Sequence, residues 1–152
     1  MKIVKLVTVV ALSSLVFGCG VFPFEKKVKD NHFVIENYRQ DISTPKEYVY
    51  LACYRNRQSD YSESRELMAG RHNLWVKAQF DIGGEGYVNF DVTLDAGQRY
   101  ALKRQVTDNK AAIWLEETDT SKVVSEVVTT ELKIPKVVDN KIRIEQCKSG
   151  TV

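Results

Sequence analysis

Residues 73–80 read Asn73-Leu74-Trp75-Val76-Lys77-Ala78-Gln79-Phe80, and how they alternate decides the fold class. In an extended chain Leu74, Val76, Ala78 and Phe80 fall on one side, and Asn73, Trp75, Lys77 and Gln79 on the other. A period of two marks a strand with one buried face, whereas a helix would scatter the four apolar residues around its circumference. Residues 87–94 repeat the pattern, with Val88, Phe90, Val92 and Leu94 opposite Tyr87, Asn89, Asp91 and Thr93.

Outward from this pair, residues 32–38, 47–54, 100–106, 111–116, 122–129 and 141–147 are rich in the β-branched and aromatic residues that strands favour. Turn-forming groups separate the later ones: Gly83-Gly84-Glu85-Gly86, Asp95-Ala96-Gly97, Asp108-Asn109-Lys110, Thr118-Asp119-Thr120-Ser121 and Asp139-Asn140. Short strands at this spacing predict an all-β domain, a single antiparallel β-sandwich of about 7–8 strands. Residues 59–68 are the exception. Asp60 followed by Glu63 resembles a capping box and Gly70 could stop a helix, so residues 60–68 are read as a short helix of one or two turns or, alternatively, a structured loop.

The amino terminus has a different logic. Met1-Lys2-Ile3-Val4-Lys5 carries two lysines ahead of an apolar run over residues 6–17. That run is shorter than the roughly 20 apolar residues a membrane-spanning helix requires, and fits a secretory signal. It ends in Val16-Phe17-Gly18-Cys19-Gly20, which resembles the lipobox of bacterial lipoproteins. The resemblance implies cleavage before Cys19, acylation of its sulfur and new amino group, and three acyl chains holding the protein to a leaflet. Gly20, where lipoproteins kept in the inner membrane usually carry Asp, implies the outer membrane. The expected organisation is a signal peptide over 1–18, a lipidated cysteine and tether over 19–31, and a β-sandwich domain over 32–152. A flexible tether of that length reaches ~20 Å.

The chain holds 22 basic and 20 acidic residues, and Lys2 and Lys5 account for the whole excess. The mature chain is therefore balanced, with no basic field for a nucleic acid. Of the three cysteines, Cys19 is assigned to lipid. That leaves Cys53 and Cys147 as a pair in an oxidising compartment, where a disulfide is expected. In the strand over 47–54, Cys53 shares a face with Val49 and Leu51 and so points inward. Cys147 falls by parity with Arg143 and Glu145, opposite Ile142 and Ile144, so the last strand is expected to end or bulge before it. His32 and His72 lie at no metal-ligand spacing from either cysteine, and no metal or other cofactor is expected.

An internal echo links Leu67-Met68-Ala69-Gly70, leading into residue 73, with Leu94-Asp95-Ala96-Gly97, leading into residue 100. With Ala111-Ala112-Ile113-Trp114-Leu115-Glu116 following, the stretch from 67 to 128 resembles small transthyretin-like or carboxypeptidase-regulatory-like sandwiches of envelope lipoproteins. This implies a fold and no activity.

Catalytic patterns are sparse. There is no Gly-x-Ser-x-Gly elbow, and Ser43-Thr44-Pro45-Lys46 lacks the partner elements of Ser-x-x-Lys enzymes. Glu116 and Glu117 are adjacent, so on a strand they face opposite ways. His72 reads as a polar turn residue. The more informative side chains are aromatic. Trp75 and Tyr87 alternate away from the apolar stripes, Arg71 is nearby, and Tyr48, Tyr50 and Tyr54 share one face of their strand. Exposed Trp and Tyr beside Arg make a candidate partner surface at Trp75, Arg71 and Tyr87. The competing reading is that a second layer covers this face.

The expected function is accordingly that of an outer-membrane-anchored lipoprotein with a non-catalytic β domain for binding, assembly or envelope structure. The alternative is an inhibitor or periplasmic adaptor with one envelope protein partner, resembling lysozyme-inhibitor lipoproteins or pilotins. An envelope-polymer hydrolase is the third reading, against which the missing acid/base set argues.

Overall fold

A computed structural model describes residues 27–81 and 84–151 of the chain. The segment expected as a signal peptide, Cys19, and the expected tether as far as residue 26 lie outside the described residues. The domain is all-β and sandwich-like, with a single helix among the described residues.

One sheet contains β1 (His32–Glu36), β6 (Ser64–Met68), β9 (Arg99–Thr107), β10 (Lys110–Glu117) and β11 (Val128–Glu131), in the order β11-β10-β9-β1-β6. The second contains β2 (Tyr38–Gln40), β3 (Glu47–Leu51), β7 (Gly70–Phe80) and β8 (Gly84–Leu94), in the order β2-β3-β7-β8. Pairing is antiparallel except between β1 and β9. The alternation read from the sequence is the alternation of burial. Leu74, Val76 and Ala78 of β7 and Val88, Phe90 and Leu94 of β8 face Phe33, Ile35, Leu102, Ile113 and Leu115 of the other sheet in one core. Burying each of the larger side chains contributes about 1.5–3 kcal/mol.

Two stretches expected as single strands are each divided by a change of partner. Residues 32–38 leave the first sheet at Asn37 and join the second as β2. Asn37 fixes the corner: its amide nitrogen donates to the Ser62 carbonyl at 2.7 Å, and its side-chain oxygen accepts the Leu51 N–H at 3.1 Å. Residues 47–54 turn away after Leu51 into a small hairpin of β4 (Cys53–Tyr54) and β5 (Arg57–Gln58). Arg55 and Asn56 both have positive φ there, as a two-residue type I′ turn requires.

Three expectations are corrected. The short helix read near 60–68 does not form: the chain is a loop, the other reading of this stretch, followed by β6. The Asn37 corner holds the carbonyls of Ser62 and Glu63, and β6 pairs with β1 along its whole length. Tertiary pairing thus overrides a local capping pattern. The strand expected over 122–129 is confined to β11, which begins at Val128, with Val123 forming only an isolated bridge to Glu116. The strand expected over 141–147 is part of a helix, α1 (Val137–Ser149). Ile142 and Ile144, whose alternation suggested a strand, are 52% and 43% exposed. The residues directed at the sheet are Arg143, Gln146 and Cys147, spaced by three and four as a helix face demands. Only one of the three is apolar, so no hydrophobic periodicity announces the helix.

The route into α1 matters for the site. From β11 the chain crosses the edge of β8, where Glu85 and Lys133 exchange two backbone hydrogen bonds of 2.9 Å. The crossing is tight. Gly84 has φ +91°, and a Cβ there would lie 2.3 Å from the Lys133 carbonyl oxygen. The chain then passes Pro135 and enters α1, which covers part of the outer face of the β7–β8 pair.

Candidate groove between the helix and the outer sheet face

The outer face of the four-stranded sheet carries the residues opposite the core stripe. Strand register aligns Tyr50, Lys77 and Tyr87 in one row across β3, β7 and β8. Trp75 lies one row away, opposite Asn89. One side of this face is walled by the chain after β5, where the Ser59 hydroxyl donates to the Leu51 carbonyl at 2.8 Å. Tyr61 packs edge-on against Tyr48 and Tyr50 there, at 5.4 and 5.8 Å between ring centroids. The other wall is α1.

Three contacts fix α1, each about one turn from the next. Arg143 lays its guanidinium over the Tyr87 ring, 3.3 Å from the centroid. Cys147 is bonded to Cys53, with Cα atoms 5.3 Å apart. Beyond the helix, Thr151 accepts the Asn73 N–H at 2.9 Å through its hydroxyl and donates its own N–H to the Asn73 carbonyl. Cys53, Cys147 and Ala52, with Trp75 and Tyr87 against them, form a second small apolar cluster separate from the sandwich core.

Between the two walls is a groove of about 440 Å³, within the size range of small-molecule sites. Its lining is evenly mixed: Tyr50, Trp75, Tyr87 and the disulfide supply apolar surface, while Asp60, Lys77, Glu85, Lys136 and Arg143 supply charge. Both oxygens of Glu85 are committed, one to Lys77 in an ion pair and one accepting the Tyr87 hydroxyl at 3.2 Å. Arg143 donates to Gln146 at 3.2 Å, and among the described residues no carboxylate lies within ion-pair distance of it. Two buried donors at the groove, Trp75 Nε1 and Arg143 Nε, have no acceptor.

Burial raises the Tyr50 phenol, with Glu85 and Asp60 adding to the shift and Lys77 opposing it. Burial, then Glu85, pushes Tyr87 up to about 12, against the pull of Arg143. An unfolded chain's phenol titrates near 10, so the folded state holds this proton more tightly. The resulting stabilisation is complete below pH ~10 and is lost as pH rises toward about 12. In an absorbance titration of the tyrosines, Tyr87→Phe should remove the latest ionisation. An unchanged curve would show that Tyr87 is not held this way.

Of the three residues singled out in the sequence, the structure brings two together. Trp75 and Tyr87 are half-buried at the groove. Arg71 shares their sheet face but is exposed, donating to both oxygens of Asp91 at 2.8 and 2.5 Å, and does not line the groove. His72 is no turn residue. It sits within β7, 9% exposed, edge-on to Phe33 and hydrogen-bonded to the Met68 carbonyl at 2.7 Å. Arg143, Gln146 and Asp60 are among the groove residues that the sequence reading missed. Their elements were assigned the wrong type, and a polar helix face leaves no periodic apolar trace. No protein-family model, no curated protein and no solved structure matches this chain.

Proposed function

We propose that this chain is an outer-membrane-anchored lipoprotein whose β domain is a non-catalytic binding module, with the groove under α1 as its site. The observation that carries the binding reading is the mixed groove itself, floored by regular strands and walled by a helix that a disulfide fastens in place. A site on rigid elements is pre-organised, so little ordering cost opposes binding. A binding role is further supported by the commitment of both Glu85 oxygens to Lys77 and Tyr87. The anchor rests on the Gly18-Cys19 junction after a short apolar run.

Two experiments test the two halves. Cys19→Ser should leave an unprocessed or soluble precursor, and normal processing with normal membrane association would sink the anchor. For the site, a photo-crosslinking amino acid at exposed Gln58 on the groove rim should capture a species in intact cells. The same group at exposed Gln105 on the other sheet should not. Equal capture at both positions, or capture at Gln105 alone, would refute the groove. An adaptor with a protein partner is favoured by one observation: Ile134, Ile142 and Ile144 are exposed on and beside α1. Capture of a protein-sized species at Ile142 instead of Gln58 would select that reading.

A further inference from the structure

We propose that the groove receives the carboxylate of its ligand, with Arg143 as the counter-ion; this deepens the binding reading above and rests on it. The charges lining the groove are unevenly satisfied. Lys77 and Glu85 neutralise each other, and Glu85 also accepts the Tyr87 hydroxyl. Arg143 has no such partner among the described residues. Its guanidinium carbon lies 3.3 Å from the Tyr87 ring centroid, a cation–π contact that does not itself use the N–H donors. The Gln146 amide oxygen takes one Nη position at 3.2 Å, a neutral acceptor where a charged one would bind more strongly.

The remaining buried hydrogen-bonding capacity has the same sign, while the Asp60 carboxylate lies exposed at the rim. Trp75 Nε1 and Arg143 Nε are buried donors without acceptors, and a native interior rarely leaves such donors unmatched. The Tyr50 and Tyr87 phenols add no spare donor, since they already donate to Gln79 at 3.4 Å and to Glu85 at 3.2 Å. A groove with two unmatched buried donors, and a guanidinium that no carboxylate pairs among the described residues, calls for an acceptor-rich anion. The apolar surface of Trp75, Tyr50 and the disulfide calls for carbon attached to it. A carboxylate on a small organic framework meets both demands. A peptide carboxyl terminus and a sugar acid share that chemistry and fit the available volume.

The test uses the full chain in detergent, carrying Trp114→Phe so that Trp75 is its single tryptophan. Trp75 fluorescence is followed during titration with alanyl-alanine, with alanyl-alanine amide and with glucuronate. Saturation by the free dipeptide, about tenfold weaker with its amide, is expected if a peptide terminus is the source. Saturation by glucuronate alone supports the same site with a sugar acid as the source. Arg143→Gln should weaken whichever acid binds by about tenfold or more, with the thermal midpoint checked to show that the domain is folded. The amide comparison uses the unaltered Arg143 and does not depend on that variant folding. Equal binding of dipeptide and amide, unchanged binding by folded Arg143→Gln, or no saturation by any acid up to on the order of 10 mM overturns the carboxylate assignment. Capture at Gln58 with no acid bound would leave the groove standing and remove only its proposed chemistry.

Discussion

Replacing Cys53 and Cys147 together by alanine should lower the unfolding free energy by about 2–5 kcal/mol and release α1 from the sheet. The bond closes a loop of 94 residues, for which the chain-entropy model gives a stabilisation of about 4–5 kcal/mol. The local consequence is larger than that figure implies. Ile142 and Ile144 face solvent, so among the described side chains of α1 only Cys147 brings apolar surface to the interface. Without the bond the helix is held by Arg143 on Tyr87 and by Thr151 on Asn73, both polar contacts open to competition from water. Urea unfolding gives the free energy, and amide exchange gives the location. Protection should fall across residues 141–151 while the paired amides of β7 and β8 keep theirs. Retained protection in α1 would mean that other contacts hold the helix.

Trp75→Ala should cost about 3 kcal/mol, the lower end of what truncating a buried large aromatic removes. The side chain is half-buried in the small cluster with Ala52 and the disulfide, and a Cβ on Gly150 would lie 3.6 Å from its Cδ1. For a domain of this size the loss corresponds to a fall in melting midpoint on the order of 10 °C. Arg71→Ala, which breaks only an exposed ion pair, should change stability by less than about 1 kcal/mol. If Trp75→Ala melts with the unaltered protein, the second cluster does not hold α1, and Trp75 is a surface residue after all.

These contrasts show which parts of the structure were legible in the sequence. The strands β7 and β8 could be read because each buries one face and exposes the other to a different environment, so alternation survives. Cys53 could be placed inward for the same reason, and elimination among three cysteines paired it with Cys147. The helix could not be read. Arg143, Gln146 and Cys147 recur at helical spacing but share no hydrophobicity, whereas Ile142 and Ile144 alternate by accident on its solvent side. Asp60 and Glu63 misled in the opposite direction, because a capping pattern is local and the Asn37 corner that captures the adjacent carbonyls lies more than twenty residues away in sequence. The competing reading of Trp75 and Tyr87, that a second layer covers their face, is what the structure contains. That layer also creates the groove, so the same two aromatics serve packing on one side and line a site on the other.

The claim that this groove is the binding site is tested most directly by the two indole N–H resonances of the protein in a proton–nitrogen correlation spectrum. Adding alanyl-alanine should shift the Trp75 indole signal together with the backbone amides of Tyr50, Lys77, Tyr87 and Arg143. The Trp114 indole, on the five-stranded sheet, should stay where it is. Shifts clustered around Trp114, or a Trp75 signal that stays fixed while ligand binds elsewhere, would contradict the account.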